Sequence, residues 1–449
     1  MNLDLDYTHL MAPNIGPNGL SAESLTRQGA ARERAVDGLL ARATGDLGFL
    51  ALPETDAHDT AVADLLDGLS PRPEALLVLG IGGSSLGPRA LTEALGPDRK
   101  SAALGAVFYV DNADPMALQR TLAPLDPATT LVNVISKSGA TVETLATHEK
   151  VLAWLEGAPG DVAERLVYTT DPVQGFLRER AAQSAIKTLP IPSNVGGRYS
   201  VFSSVGLLAA RFAGLDGDAL LRGARRALED VRSQRGESLA ARCASLHHLL
   251  TVERGLPMTV WMPYADALST VGDWFVQLWA ESLGKRDVLA PTPLRAGGAT
   301  DQHSQLQLWM EGPKDKHIWF LEVGSLGDDE PMRVSDRTCP TTGHLDGKTL
   351  TELLHAERRA TALALAQVGV PNATLHMPRI DEDSLGHLLM TLQLQTALAG
   401  QLWEVDAFDQ PGVEAGKRFI HGLMGRSDHA DERTALEAAE AGMTPFKHS

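Results

Sequence analysis

The sequence predicts an α/β fold in which parallel sheets are covered by helices on both faces. Three observations lead there. Short β-rich runs alternate with longer helical patterns from residue 75 onward, which is how doubly wound parallel sheets read. A second, weaker set of such runs follows the first. Several runs of the first set end in glycine, hydroxyl or acidic residues, and open α/β sheets bind ligands beyond the carboxyl ends of their strands.

Residues 1–72 read as a helical N-terminal segment with interspersed charges, as in "AARERAVDGLLARA". A first α/β domain is expected over 73–210. Its strands are 75–80 ("ALLVLG"), 106–110 ("AVFYV"), 130–136 ("TLVNVIS"), 166–170 ("LVYTT") and 185–190 ("AIKTLP"). A helical connection covers 211–239. A second α/β domain is expected over 240–400, with strands at 257–263 ("PMTVWMP"), 317–323 ("HIWFLEV") and 372–378 ("NATLHMP"). The tail, 401–449, is helix-prone but carries the polar cluster "FDQPGVEAGK".

The 449 residues suffice for two or three ordinary domains with a large buried core. Lys and Arg number 40 against 57 Asp and Glu, a formal charge of −17. That balance argues against a general nucleic-acid or anionic-membrane binder, while leaving room for a small anionic ligand in a local pocket. The two cysteines, Cys243 and Cys339, are far apart and form no pairing framework or metal spacing, as in a reducing compartment. The acidic start "MNLDLDYTHL" has no basic region with an apolar core, and no apolar run reaches membrane-spanning length. A cytoplasmic protein is expected.

The stretch "LLVLGIGGSSLGPRAL" reads as a strand, a tight turn and a helix start. Such turns hold anions, because backbone N–H groups and the positive helix end converge. A P-loop would need a closing Lys-Ser/Thr pair, which is missing. A dinucleotide fingerprint is broken, since Ser85 stands where the third glycine belongs and the acidic Asp111 comes late. A purely steric role for the glycines is the competing reading. A second loop, "SKSGAT", shifts the balance. Its Ser136, Ser138 and Thr141 hydroxyls crowd a helix N-terminus beside Lys137 and Gly139. One of them could be a helix cap. Three exceed what a cap needs, and a single phosphate explains the excess. No base pocket accompanies the motif, so a phosphorylated small molecule fits better than a nucleotide.

Three further stretches carry ionisable residues. In "PSNVGGRYSVFSSVGLL", glycines that permit close backbone approach precede Arg198, a permanent cation for oxyanions; a surface ion pair is its bland alternative. In "DWFVQLWAESLGKR", Gln277 and Glu281 share a helical face beside Trp274, Phe275 and Trp279. An apolar setting raises a carboxyl's pKa and suits a proton-transfer base, whereas pairing with Lys285 would make Glu281 an ordinary surface residue. In "GGATDQHSQLQLWMEGPKDK", His303 follows a glycine-rich turn and is a candidate proton shuttle. No His, Asp and Glu cluster has a metal-ligand spacing.

Six of these motifs, "GIGGSSLGP", "SKSGATVET", "GGRYSVFSSVG", "QLWAESLGK", "DQHSQLQL" and "FDQPGVEAGK", span residues 80 to 417. Together and in this order they resemble the glucose-6-phosphate isomerase (phosphoglucose isomerase) family, in its compact bacterial form. The "SKSGAT" loop departs from the "SKTFTT" of many longer relatives but keeps its hydroxyls. The resemblance implies two sugar-isomerase (SIS-type) domains with helical terminal segments. It also implies reversible aldose–ketose isomerisation of glucose 6-phosphate and fructose 6-phosphate through a cis-enediol, in glycolysis and gluconeogenesis. By resemblance, Gly83, Ser84, Ser136, Lys137, Ser138 and Thr141 line the phosphate and substrate site, and Gln277 and Gln410 contact substrate. Glu281 is the implied base, His303 and Lys417 the ring-opening pair, and Arg198 the cation beside the intermediate. No metal or other cofactor is implied. The implied partner is a hexose 6-phosphate, with a second copy of the chain forming a homodimer whose active site is shared. Alternatives are a dual phosphoglucose and phosphomannose isomerase, a non-catalytic sugar-phosphate sensor, and, disfavoured by the broken fingerprint, an NAD-dependent dehydrogenase.

Overall fold

A computed structural model describes residues 3–43, 45–96, 105–285, 290–327 and 329–444. Among the described residues ten strands form two five-stranded sheets. The first sheet contains β2 (Ala75–Leu79), β3 (Ala106–Val110), β4 (Thr130–Ile135), β5 (Leu166–Thr170) and β6 (Lys187–Pro190). Its order is β3-β2-β4-β5-β6, with every pairing parallel. β2 and β4 are buried along their whole length. That is why they read as unbroken apolar runs: helices cover both faces of a parallel sheet, so no polar face is needed. β3, at the edge, is partly exposed.

The second sheet runs β1-β10-β9-β7-β8, from β1 (Asp4–Asp6), β7 (Met258–Pro263), β8 (Thr292–Arg295), β9 (Lys316–Ser325) and β10 (Asn372–Arg379). β7 to β10 are mutually parallel where paired, and β1 adds antiparallel to β10. Strands β1 and β8 are additions to the sequence reading. β1 is three residues long with acidic ends, and β8 contains Pro293. Short, charged or proline-containing strands belong at sheet edges, where unpaired backbone must be protected. β1 also brings a strand into the N-terminal stretch expected to be helical.

The helices that matter for the site are α1 (Gly83–Leu95), α2 (Val142–Leu155), α3 (Gly217–Gln234), α4 (Ser269–Leu283), α5 (Leu350–Gln367), α6 (Glu382–Leu402) and α7 (Glu414–Leu423). α1 follows β2, and α4 follows β7. The two pack against each other and so join the two sheets. α6 is buried from Ser384 through Gly400 and crosses α3 closely. A Cβ at Gly223 would stand 1.9 Å from the Asp383 carbonyl oxygen, and one at Gly386 2.0 Å from that of Leu220. Only glycine permits that approach.

The chain divides into two compact units, Met1–Ala407 and Phe408–Ser449. Both sheets belong to the first. The second is helical and contains α7. Among the described residues no helix is long and apolar enough to cross a membrane.

Candidate active site

In the first sheet the chain moves outward in one direction after β2 and in the other after β4. The crevice between these neighbouring strands is the switch point at which open α/β sheets bind ligands. Both anion-type loops open onto it, since residues 80–82 follow β2 and residues 136–141 follow β4. Gly82 has φ +60°, and a Cβ there would also lie 2.8 Å from Gln277 Nε2. A Cβ at Gly83 would collide with the Gly197 backbone at 2.2 Å and meet the Arg198 nitrogen at 2.6 Å. The glycines therefore do more than make a turn: they let Gln277 and the Arg198 loop come against the strand end.

The 136–141 loop is hydroxyl-rich but not capped in the usual way. Thr141 precedes α2 and makes no side-chain capping bond. Its hydroxyl is 3.0 Å from that of Ser136, and Ser138 Oγ accepts from the Ala140 N–H at 3.2 Å. Ser136 is buried and Ser138 exposed. Lys137 Nζ donates to the carbonyls of Ser193 (2.6 Å) and Val195 (2.9 Å). Burial pushes this ammonium below its ordinary pKa, and Asp171 opposes the shift.

Arg198 is buried and its guanidinium is held on three sides. Nε donates to Ser282 Oγ at 2.8 Å, Nη1 to Glu281 Oε1 at 3.0 Å, and Nη2 to the Ala407 carbonyl at 2.7 Å. Glu281 Oε2 accepts from Gln277 Nε2 at 3.0 Å. Gln277 Oε1 is buried and has no hydrogen-bond partner among the described residues, an uncommon condition for a buried acceptor. Beside Arg198, burial pushes the Tyr199 phenol up to about 12, with Arg198 opposing.

The structure corrects the apolar setting expected for Glu281. Trp274, Phe275 and Trp279 are buried in the core. Trp279 donates to the Pro291 carbonyl, and its ring packs against Phe275, His247 and Trp403. Glu281 faces polar partners: a buried guanidinium and an amide. Lys285, the alternative partner for Glu281, donates to the Asp406 carbonyl. The cause is helical geometry, because apolar and polar residues of α4 occupy opposite faces. Ser282 and the Ala407 carbonyl complete the guanidinium cage. Neither carried a sequence signal, since any residue supplies a carbonyl and a serine next to a glutamate is unremarkable.

His303 lies in the second sheet's half. It follows a short helical turn, Thr300–Gln302, pinned by Asp301, which accepts from the Gly297 N–H at 2.7 Å and the Ser304 hydroxyl at 2.5 Å. These bonds, that of Ser304 first, hold Asp301 below the usual carboxylate range. His303 is exposed and lines a cleft of about 1060 Å³. Ala265, Asp266, Ser325 and Gly327 also line it, at the carboxyl ends of β7 and β9. No lining residue of this cleft belongs to the 80–83 loop, the 136–141 loop, Arg198, Gln277 or Glu281.

Gln410 and Lys417 belong to the second compact unit. Both are exposed, and Lys417, on α7, pairs with Glu414 at 2.8 Å. Ser84, on the first turn of α1, is half-buried beside Gly80. Asp111, the carboxylate that a dinucleotide reading would need, is engaged by Arg89 Nη1 at 2.9 Å and by the Ser85 hydroxyl. Among the described residues no group of three or more His, Cys, Asp or Glu could hold a metal ion.

Known proteins share both the sequence and the fold. Residues 74–443 match the model of the phosphoglucose isomerase family. The glucose-6-phosphate isomerase of Rubrobacter xylanophilus is 42% identical over 435 residues, covering 95% of this chain and 98% of its own. A glucose-6-phosphate isomerase of Thermus thermophilus is 43% identical over 406 residues, 88% and 95% of the two chains. Among solved structures, a T. thermophilus protein described as hypothetical superposes with a TM-score of 0.85 at 40% identity, covering 94% of this chain and all of its own. A glucose-6-phosphate isomerase from Chlamydia trachomatis shares the fold, with a TM-score of 0.73 at 24% identity over 86% of this chain and 77% of its own. With a family match over most of its length and relatives above 40% identity across nearly the whole chain, the chain belongs to the phosphoglucose isomerase family.

Proposed function

We propose that this chain interconverts glucose 6-phosphate and fructose 6-phosphate through ring opening and a cis-enediol. The observation that carries the proposal is the grouping of Glu281, Arg198 and Gln277 beside the 80–83 loop, at a switch point onto which the 136–141 loop also opens. The phosphate is taken by the Ser136, Ser138 and Thr141 hydroxyls, with Gly83, Ser84 and Lys137 lining the site. The sugar carbons then extend toward Glu281. Glu281 takes the proton from C2 of the open aldose and returns it to C1; one base serves both carbons because the enediol is cis. Arg198 neutralises the charge that develops on the enediolate oxygens, and its fixed cage means little reorganisation is needed when the charge appears. Gln277, whose amide donates to Glu281 Oε2, makes its substrate contact beside the base. Gln410 makes a further sugar contact.

Ring opening needs a proton delivered to the ring oxygen and another removed from the C1 hydroxyl. His303 and Lys417 serve that step. His303 of one copy completes the site of the other in a homodimer. A cytoplasmic location suits a substrate of central sugar metabolism. The chemistry requires proton transfer only, with no cofactor. The test is a coupled assay of purified protein that follows fructose 6-phosphate to glucose 6-phosphate, with and without exhaustive chelation. Full activity in both conditions is expected. Absence of turnover would dispose of the proposal, and recovery with one specific metal ion would dispose of the cofactor-free mechanism.

A further inference from the structure

Lys137 belongs to the proposed phosphate loop, yet its ammonium bonds outside that loop. It donates to the Ser193 and Val195 carbonyls at 2.6 and 2.9 Å. Those carbonyls belong to the turn that leads through Gly196 and Gly197 into Arg198. The turn is closed by the Val195 N–H on the Pro192 carbonyl at 3.0 Å, and the next one by the Tyr199 N–H on that of Gly196 at 3.0 Å. Gly197 is in turn pressed against Gly83 with no room for a Cβ on the latter.

Both ends of this connection are anchored. At the loop end, the Ser136 N–H donates to the Thr169 carbonyl at 3.1 Å, the Thr170 hydroxyl to the Ser136 carbonyl at 2.7 Å, and the Gly139 N–H to that of Ser136 at 3.1 Å. At the other end the Arg198 guanidinium is bonded to Ser282, Glu281 and the Ala407 carbonyl. Lys137 bridges the two. An ammonium carries three N–H donors, and two are used on this turn.

We infer that Lys137 is a positioning residue that couples the phosphate loop to the placement of Arg198 beside Glu281, and is not simply a phosphate ligand. The inference rests on the isomerase reading of the site. Its physical content is that phosphate binding fixes the 136–141 loop, the loop fixes the 193–195 turn through Lys137, and the turn fixes the guanidinium. Binding energy from the non-reacting phosphate is thereby used at the reacting carbons. Small misplacements of a group that meets the transition state cost large factors in rate.

The test separates rate from affinity. Lys137→Met keeps the stem and removes all N–H donors. Lys137→Gln keeps two donors without the charge. For each, kcat with fructose 6-phosphate and the inhibition constant of inorganic phosphate are measured, with thermal unfolding as the check on folding. Coupling predicts that kcat of Lys137→Met falls by about tenfold or more while inhibition by phosphate changes by less than about twofold. Lys137→Gln should recover at least part of the lost kcat, because an amide can still bond a carbonyl. The double variant Lys137→Met/Arg198→Lys should lose no more than Arg198→Lys alone, since the bridge then has nothing left to position.

The inference is overturned if phosphate inhibition weakens by a larger factor than kcat falls, or if the two substitutions multiply independently. Should Lys137→Met not fold, the same comparison of the two factors in Lys137→Gln decides. A wild-type chain without isomerase activity would count against the isomerase reading; an active wild type with a Lys137 variant impaired in phosphate affinity alone would count only against the coupling.

Discussion

The two sheets share one strand order over four strands: β3-β2-β4-β5 in the first and β8-β7-β9-β10 in the second. Each therefore has a switch point, between β2 and β4 and between β7 and β9. The crevices are built from different chemistry. In the first, a glycine turn passes directly into α1, a hydroxyl loop passes into α2, and an Arg–Glu pair from elsewhere closes the site. In the second, the lining is rich in small residues, Ala265, Ala267, Gly298, Ala299 and Gly327 among them, and the exposed imidazole is His303. Topology supplies a crevice in each half, and the side chains decide its chemistry. The first crevice concentrates donors and a fixed cation; the second offers a small-residue surface and a titratable imidazole.

The comparison is most sharply tested at Glu281. Glu281→Gln keeps an oxygen for Arg198 to bond and removes the capacity to take a proton. Turnover should fall by about 10²- to 10⁴-fold, the usual range for a positioned base. Binding of a sugar-phosphate analogue, measured by calorimetry, should stay near normal. Near-normal turnover would mean that the Arg–Glu pair of the first crevice is structural only.

The second crevice enters through His303. With the cyclic sugar phosphate, His303→Ala and, from the tail, Lys417→Ala should each reduce turnover by about 10²-fold, as expected for loss of a general acid or base. Exchange of the C2 proton in substrate supplied in the open form should be much less affected, whereas Glu281→Gln should impair both. Equal loss on both substrate forms would refute ring opening as the task of the pair. Wild-type activity in the Lys417 variant would return that residue to its surface pairing with Glu414.

A smaller effect is expected in the hydroxyl loop. Ser138→Ala with Thr141→Ala removes two donors to a charged acceptor, each worth about 1.5–3 kcal/mol. Affinity for a sugar-phosphate inhibitor should drop by at least about tenfold. Thr141 makes no capping bond to α2, so little helix stability should be lost with it. Unchanged inhibitor binding would show that these hydroxyls serve only the loop's own turn.

The first crevice was largely legible in the sequence, and the reason is local. Its glycine and hydroxyl loops are contiguous stretches bound to strand ends, and "ALLVL" and "TLVNVI" read as strands because burial on both faces makes them nearly uniformly apolar. The environment of Glu281 was not legible. The aromatic neighbours in sequence face the core, while its true partner, Arg198, is 83 residues away. Strands β1 and β8 were missed for a related reason. "DLD" and "TPLR" are too short and too polar to carry a strand pattern, and they are strands only because a neighbour supplies the ladder.

A last expected effect, on stability and not on turnover, concerns how the two halves respond to acid. In the second half, His317 on β9 and the helical His247 are completely buried, with ring centroids 5.1 Å apart. His247 stacks on Trp319 at 4.1 Å and has its Nδ1 2.9 Å from the Cys243 carbonyl, while His317 Nδ1 accepts from Trp319 Nε1 at 2.9 Å. Burial pushes His247 down to about 3, the Cys243 carbonyl opposing; burial and then His247 hold His317 well below its ordinary value. Against the first sheet, burial lowers His148 to about 4. These imidazoles are neutral in the folded chain, so between the folded and ordinary values the unfolded chain binds more protons. Stability is therefore full above about pH 6.5 and is lost as pH falls, by about 2 kcal/mol at pH 5 for each of His247 and His148. Urea midpoints should drop between pH 7 and pH 5, and amide exchange in β7 and β9 should accelerate before that in β2 and β4. Constant midpoints would mean that the imidazoles reach water before the chain unfolds. Earlier loss in the first sheet would place the weaker half at His148, and the asymmetry between the two halves would then end at their crevices.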